Sequence, residues 1–291
     1  MKTQKDVYQI VTDRIVAAME SNPGKWLREW AQLGIPLRHN GDAYKGSNVF
    51  LLWYAMSENN YKTPHFMTLN QACKLGGHVK GGQEKRGHVS VFWKPLRIKD
   101  SEKNETKTIP MIRMWYVHNV SQIDGLPDHF YEEHVNPGDP IAHAEAFAAA
   151  SGVTIVSEGD QPCYVPSMDV VWQPAFSQFH SAESYYATLF HELGHATGHK
   201  SRLDRCLKGR FGEHAYAAEE LIAELSAAMT CATIGIETKD SNHAAYLKSW
   251  LKMAKDDKKA IVKASTDAGN AAAWLAARYA EKQADSVMLA A

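Results

Sequence analysis

Apolar positions first recur at helical spacing in residues 5–20, where Val7, Ile10, Val11, Ile15, Ala18 and Met19 share a face before Asn22-Pro23-Gly24 stops the run. An irregular stretch containing Trp26 and Trp30 follows. The patterns "NVFLLWYAMSENN" and "TLNQACKLGG" predict two further helices, the second opened by Thr68 as a cap and closed by Gly76-Gly77. The period then shortens. "HVSVFWKPLRIK" and "IPMIRMWYVHNVSQI" are dense in β-branched and aromatic residues and flank the charged connection "DSEKNETK", which predicts an antiparallel hairpin.

The polar segment "LPDHFYEEHVNPGDP" carries three prolines and marks a domain boundary near residue 136, dividing the chain into 1–136 and 137–291. Beyond it "AHAEAFAAASG" reads as a helix, and "VTIVSEG", "CYVPS" and "DVVWQP" read as short strands. Ser181 can cap a long helix beginning "SAESYYATLFHELGHATG", with Glu183 favourably placed in its first turn. A polar loop leads to a second strong helix, "AYAAEELIAELSAAMTCATIG", and the tail from His243 shows a further helical period in "YLKSWLKMAKDDKKAIV". Helices and strands in separate runs predict an α+β protein of two domains.

With 291 residues and 45% hydrophobic content, the chain can bury a substantial core. Its four cysteines show no CxxC spacing, which points to reduced thiols and a cytoplasmic setting rather than to a disulfide framework. No run approaches the roughly 18 apolar residues of a membrane span. The net charge of −1 conceals an asymmetry: residues 1–100 hold 15 Lys and Arg against 8 Asp and Glu, and the remainder holds 17 against 25. A basic half of this kind suits a polyanion such as nucleic acid.

His191 and His195 lie four residues apart on a predicted helix, so both imidazoles can converge on one ion, while Glu192 points about 100° away around the axis. That offset suits a carboxylate that takes a proton from water without ligating the metal. A zinc site of this type wants a third protein ligand and an open position. His199 is too far along the helix from His191, and Ser201 stands where a longer pattern would have a third His. The better donor lies in "EELIAEL": Glu220 ligates while Glu224, on the same face, holds the far nitrogen of a ligand His, with Glu219 as the nearest competitor. His199 is left beside the site or on the surface. Zinc is the expected ion, with manganese or cobalt as alternatives for the same donors. A two-metal nuclease is disfavoured because no carboxylate cluster suits it.

In the basic half, aromatic residues such as Tyr44, Trp53 and Trp93 are interleaved with cations, the combination that holds single strands through phosphates and stacked bases. The segment "GGHVKGGQEKRGHV" is the best phosphate candidate, with glycines that admit an anion close to backbone N–H groups.

The run "YYATLFHELGHATGHKSRLDR" followed by "YAAEELIAEL" resembles the zincin-like metallopeptidase domain of the ArdC antirestriction proteins. Upstream, "YKGSN", "TLNQACKLGGHVKGG" and "YVHNVSQIDGL" resemble that family's N-terminal single-stranded-DNA-binding domain, shared with TraC-type plasmid primases. The resemblance implies a plasmid-type protein that binds single-stranded DNA and shields incoming DNA from restriction. Arg38, Tyr44, Asn48, Lys80, Lys85, Arg86 and Lys94 are the expected DNA-binding residues. Restriction enzyme subunits or another protein would be the peptidase substrate. The alternative is a DNA-binding protein whose metal domain is only a scaffold or docking surface.

Overall fold

The computed structural model describes residues 7–21, 33–100, 105–132, 140–205, 214–236 and 243–290. Helix α1 (Val7–Ser21) is followed by a short strand β1 (Leu37–Arg38), helix α2 (Ser47–Asn59), β2 (His65–Met67), α3 (Leu69–Lys74) and β3 (His78–Val79). The expected hairpin is formed by β4 (His88–Asp100) and β5 (Glu105–Asn119), in a register that pairs His88 with Val117 and Asp100 with Glu105. Both strands run further into the charged connection than its composition suggests. The four-stranded sheet has the order β1-β2-β5-β4, so β4 is an edge. A small second sheet pairs β3 with β6 (Ile123–Asp124).

Polar residues of the motif-rich segments hold this half together. Thr68 and Gln71 cap α3 reciprocally, and Asn119 and Gln122 do the same for the turn after β5. Asn48 on α2 clamps β4, donating to Val91 C=O at 2.8 Å and accepting from Val91 N–H at 2.7 Å.

The second half opens with α4 (Pro140–Ala150) and a three-stranded sheet of order β7-β9-β8, from β7 (Thr154–Ser157), β8 (Cys163–Val165) and β9 (Val170–Gln173). Helices α5 (Ala182–Ala196), α6 (His214–Ile234), α7 (His243–Asp256) and α8 (Ala260–Ala290) complete it. Ser181 caps α5 by accepting from Ser184 N–H at 3.1 Å.

Sequence periodicity suggested one helical period in the tail. The structure has two helices there, and the second is a central element. Ile261, Val262, Ala264, Ser265, Ala268, Ala271 and Leu275 of α8 are buried, and α8 packs on α1, α2, α4 and α6. Its contact with α2 is backbone-close: a Cβ on Gly269 would lie 3.0 Å from the backbone nitrogen of Gly46, which itself needs φ of +58°. One continuous core therefore joins residues from both halves, including Trp53, Phe66, Phe190 and Trp250. Among the described residues no helix is long and apolar enough to cross a membrane.

Candidate metal centre

The site is set by the crossing of α5 and α6. Gly194 permits it, because a Cβ there would stand 2.5 Å from Ser226 Oγ and 3.1 Å from Ala223 Cα. With the helices this close, the His face of α5 meets the Glu face of α6. The Nε2 atoms of His191 and His195 are 3.2 Å apart. Glu220 brings Oε2 to 3.6 Å from His191 Nε2 and Oε1 to 3.8 Å from His195 Nε2. Donors about 2.1 Å from an ion at tetrahedral angles are about 3.4 Å from one another, so the three groups fit a single divalent metal.

The outer nitrogens have carboxylates beside them. His195 Nδ1 lies 3.3 Å from Glu219 Oε1, and Glu219 is itself held by Arg205 at 2.7 and 3.1 Å. His191 Nδ1 faces Glu224 Oε1 at 3.7 Å. A carboxylate at Nδ1 favours the tautomer whose Nε2 lone pair points inward, as a metal ligand requires. Glu219 thus stands behind His195 rather than beside Glu220.

Charge in the cleft calls for a cation. Glu192, Glu219, Glu220 and Glu224 are all buried. Burial alone would depress the His191 pKa, but Glu224 and Glu220 outweigh it and raise the pKa well above the ordinary value. Burial likewise raises the pKa of Glu219 and Glu220, yet the imidazoles, with Arg205 on Glu219, bring both below the usual carboxylate range. Such a concentration of buried negative charge is stabilised by a divalent ion.

Glu192 sits beside this cluster, and its Oε2 accepts the Tyr164 backbone N–H at 2.8 Å. That bond ties the carboxylate to β8, an edge strand that forms one wall of a cleft of about 360 Å³ also lined by Tyr216 and Tyr246. Tyr164 is anchored in turn: its hydroxyl donates to Asp169 at 2.8 Å, and burial followed by Asp169 pushes its pKa up to about 12. Arg202 grips Asp169 at 2.8 and 3.0 Å, fastening the β8–β9 turn to the segment after α5.

His199 lies just past α5, with Nδ1 2.7 Å from Ser201 Oγ and 3.7 Å from Asp169 Oδ2, away from the three donors. Sequence reasoning did not single out Arg205, Asp169, Arg202, Tyr164 or Tyr216. A signal was present for Tyr216, one helical turn before Glu220; burial, Tyr246 and Glu220 raise its pKa.

The expected DNA-binding residues fall into two groups. Lys85 and Arg86 are exposed on the loop before β4, and Arg38 is partly exposed. Lys80 is exposed but donates to Ser121 C=O at 2.9 Å and lies 3.5 Å from Asp124. Tyr44 is buried, with the Arg38 guanidinium over its ring at 5.5 Å, and Asn48 is engaged by β4. The side chains of Trp93 and Lys94, and all of Trp26 and Trp30, lie outside the described residues, as does the expected boundary at residue 136.

Residues 5–118 match the family model for the N-terminal domain of anti-restriction factor ArdC, and residues 142–267 match that for a zincin-like metallopeptidase. The crystal structure of antirestriction ArdC from the R388 plasmid in its metal-free form is 40% identical, with a TM-score of 0.82 over 95% of this chain and 98% of that one. Its Mn(II)-bound form gives 0.80 over 94% and 98%, again at 40% identity. A Sinorhizobium fredii protein, y4eC, is 36% identical over the whole of this chain and 98% of its own length. A DNA primase TraC of Escherichia coli is 33% identical over 92% of this chain, which spans 27% of that primase.

Proposed function

The chain belongs to the ArdC antirestriction family, and on that premise we propose that it binds single-stranded DNA through its basic half and hydrolyses peptide bonds at a metal centre in the other. The division falls near residue 136, and the two activities together protect incoming DNA from host restriction. The carrying observation is the placement of Glu192 beside the three converging donors His191, His195 and Glu220, at the wall of an open cleft.

Zinc is the ion proposed, on the strength of two imidazoles and one carboxylate at tetrahedral spacing; manganese, seen in the R388 relative, and cobalt suit the same donors. When bound, such an ion supplies Lewis acidity, acidifying water and polarising a scissile carbonyl. The protein's own residues do the rest. Glu192, steadied by the Tyr164 N–H, takes the proton from water and passes it toward the leaving nitrogen. Glu219 and Glu224 keep the imidazoles oriented, and Arg205 keeps Glu219 from turning away.

Arg38, Lys80, Lys85, Arg86 and Lys94 are proposed to neutralise phosphates, and Tyr44 and Asn48 to shape the surface that carries them. Restriction enzyme subunits are the proposed protein substrate. Incubating the purified protein with such subunits should give specific fragments that a chelator abolishes. Unchanged subunits, with metal bound and DNA still protected in cells, would favour the scaffold reading.

A further inference from the structure

The solvent face of the β4–β5 hairpin carries groups that the fold does not use. Phe92 is 55% exposed, and Trp115 and Tyr116 are each 52% exposed. Phe92 pairs directly with Arg113 across the ladder, and Arg113 and Trp115 are two residues apart on β5, which puts Phe92, Arg113 and Trp115 on one face. The rings of Phe92 and Trp115 meet no other ring and no cation among the described residues. Tyr116, paired with Val89, lies on the opposite face, and that face is fixed: Val89 and Val91 are buried, and Asn48 clamps the Val91 backbone. The rings are therefore mounted on a rigid support. Two large exposed aromatics beside an exposed arginine on one face mark an interaction site rather than ordinary surface.

Charge identifies the occupant. Neither His88–Phe92 nor Ile112–Asn119 contains an Asp or Glu, and Arg113 is exposed between the rings. At one end the hairpin runs into the loop 80–87, three cations against the single Glu84, with Lys85 and Arg86 exposed. Gly87 closes that loop against Tyr116, where a Cβ would lie 3.0 Å from the Tyr116 Cβ. Aromatic rings on a sheet, flanked by cations, are a general way to hold unpaired bases by their faces while phosphates are neutralised alongside.

We infer that Phe92 and Trp115 form a stacking platform for the bases of single-stranded nucleic acid, with Arg113, Lys85 and Arg86 taking its phosphates. The inference rests on the DNA-binding reading above and adds to it the residues that touch bases.

The test uses the full chain and two labelled strands of about 20 nucleotides, longer than the roughly 16-nucleotide upper site size of one binding fold. One is oligothymidine, and the other is an abasic strand with the same phosphates. Fluorescence anisotropy should show that Trp115→Ala and Phe92→Ala each weaken oligothymidine binding by roughly 5- to 100-fold while leaving abasic binding unchanged. Trp115→Phe should recover most of the loss, and circular dichroism should be unaltered throughout. If the wild type binds oligothymidine and both alanine variants bind it equally well, the platform is wrong and the DNA-binding reading stands. A wild type that binds neither strand sinks that reading, and the platform with it. Sedimentation in which Trp115→Ala separates a dimer without changing DNA affinity would instead make this face a contact between copies of the chain, and would overturn the inference.

Discussion

Glu192, Glu219, Glu220 and Glu224 are all buried around the metal cleft, whereas Lys85 and Arg86 stand in solvent on the other half. Among the polar groups that the basic half buries, Asn119 and Gln122 cap a turn. The proposed functions of the two halves account for the difference. An ion about 2 Å from its ligands needs donors fixed to within a fraction of an ångström, so the charges are locked between packed helices. A single strand needs cations and flat rings that it can reach from outside, so the fold keeps them at the surface and uses its buried polar groups to stiffen the support.

Removing metal donors should give the largest effects and can break the first side of this contrast. His191→Ala, His195→Ala and Glu220→Ala should each lose most bound metal by elemental analysis, whereas Glu219→Ala or Glu224→Ala should weaken affinity by about 10- to 100-fold. Full occupancy in Glu220→Ala would remove it from the ligand set. Next comes the helix crossing. Gly194→Val forces side-chain atoms against Ala223 and Ser226, so it should cost about 1–3 kcal/mol in thermal or urea unfolding and reduce metal affinity with it.

A comparable effect is expected from a half-buried base in the other half. Burial, then the neighbouring His118, lowers the His88 pKa from 6.5 to about 4. Below pH 6.5 the unfolded chain binds a proton that the folded chain refuses until about pH 4. The stability this neutral His confers is thus fully present above 6.5 and is lost as pH falls through that window, by up to about 3 kcal/mol. Urea unfolding across that range should be flatter for His88→Gln than for the wild type. The smallest effect sharpens the second side. Lys85→Ala and Arg86→Ala should weaken single-strand binding uniformly across sequences, and each should reduce the slope of log affinity against log salt by about 1.

How far these features could be read in advance depends on the kind of signal each leaves in the chain. The helices α5 and α6 were legible because strong apolar periodicity coincides with a His pair and a Glu pair at one-turn spacing. Helix α8 was not, since its buried face is made of Ala264, Ser265, Ala268 and Ala271, residues too small to stand out against an Ala-rich background. What the Glu219–Arg205 pair and the Arg202–Asp169–Tyr164 chain do could not be seen, because each joins residues from separate elements whose meeting depends on the fold. In the basic half, composition announced cations and aromatics but not their disposition. Tyr44 is in the core, while Trp115 and Phe92, inside an ordinary strand pattern, are exposed.

The central claim is that one chain cuts and binds with separate machinery, and Glu192→Ala tests it most directly. The residue lies outside the three donors and away from the basic loop, so the variant should keep its metal and its affinity for single-stranded DNA. Cleavage of a verified protein substrate, followed beside the wild type at equal metal occupancy, should fall by roughly 10²- to 10⁴-fold with the general base gone. Cleavage at the wild-type rate would contradict the account.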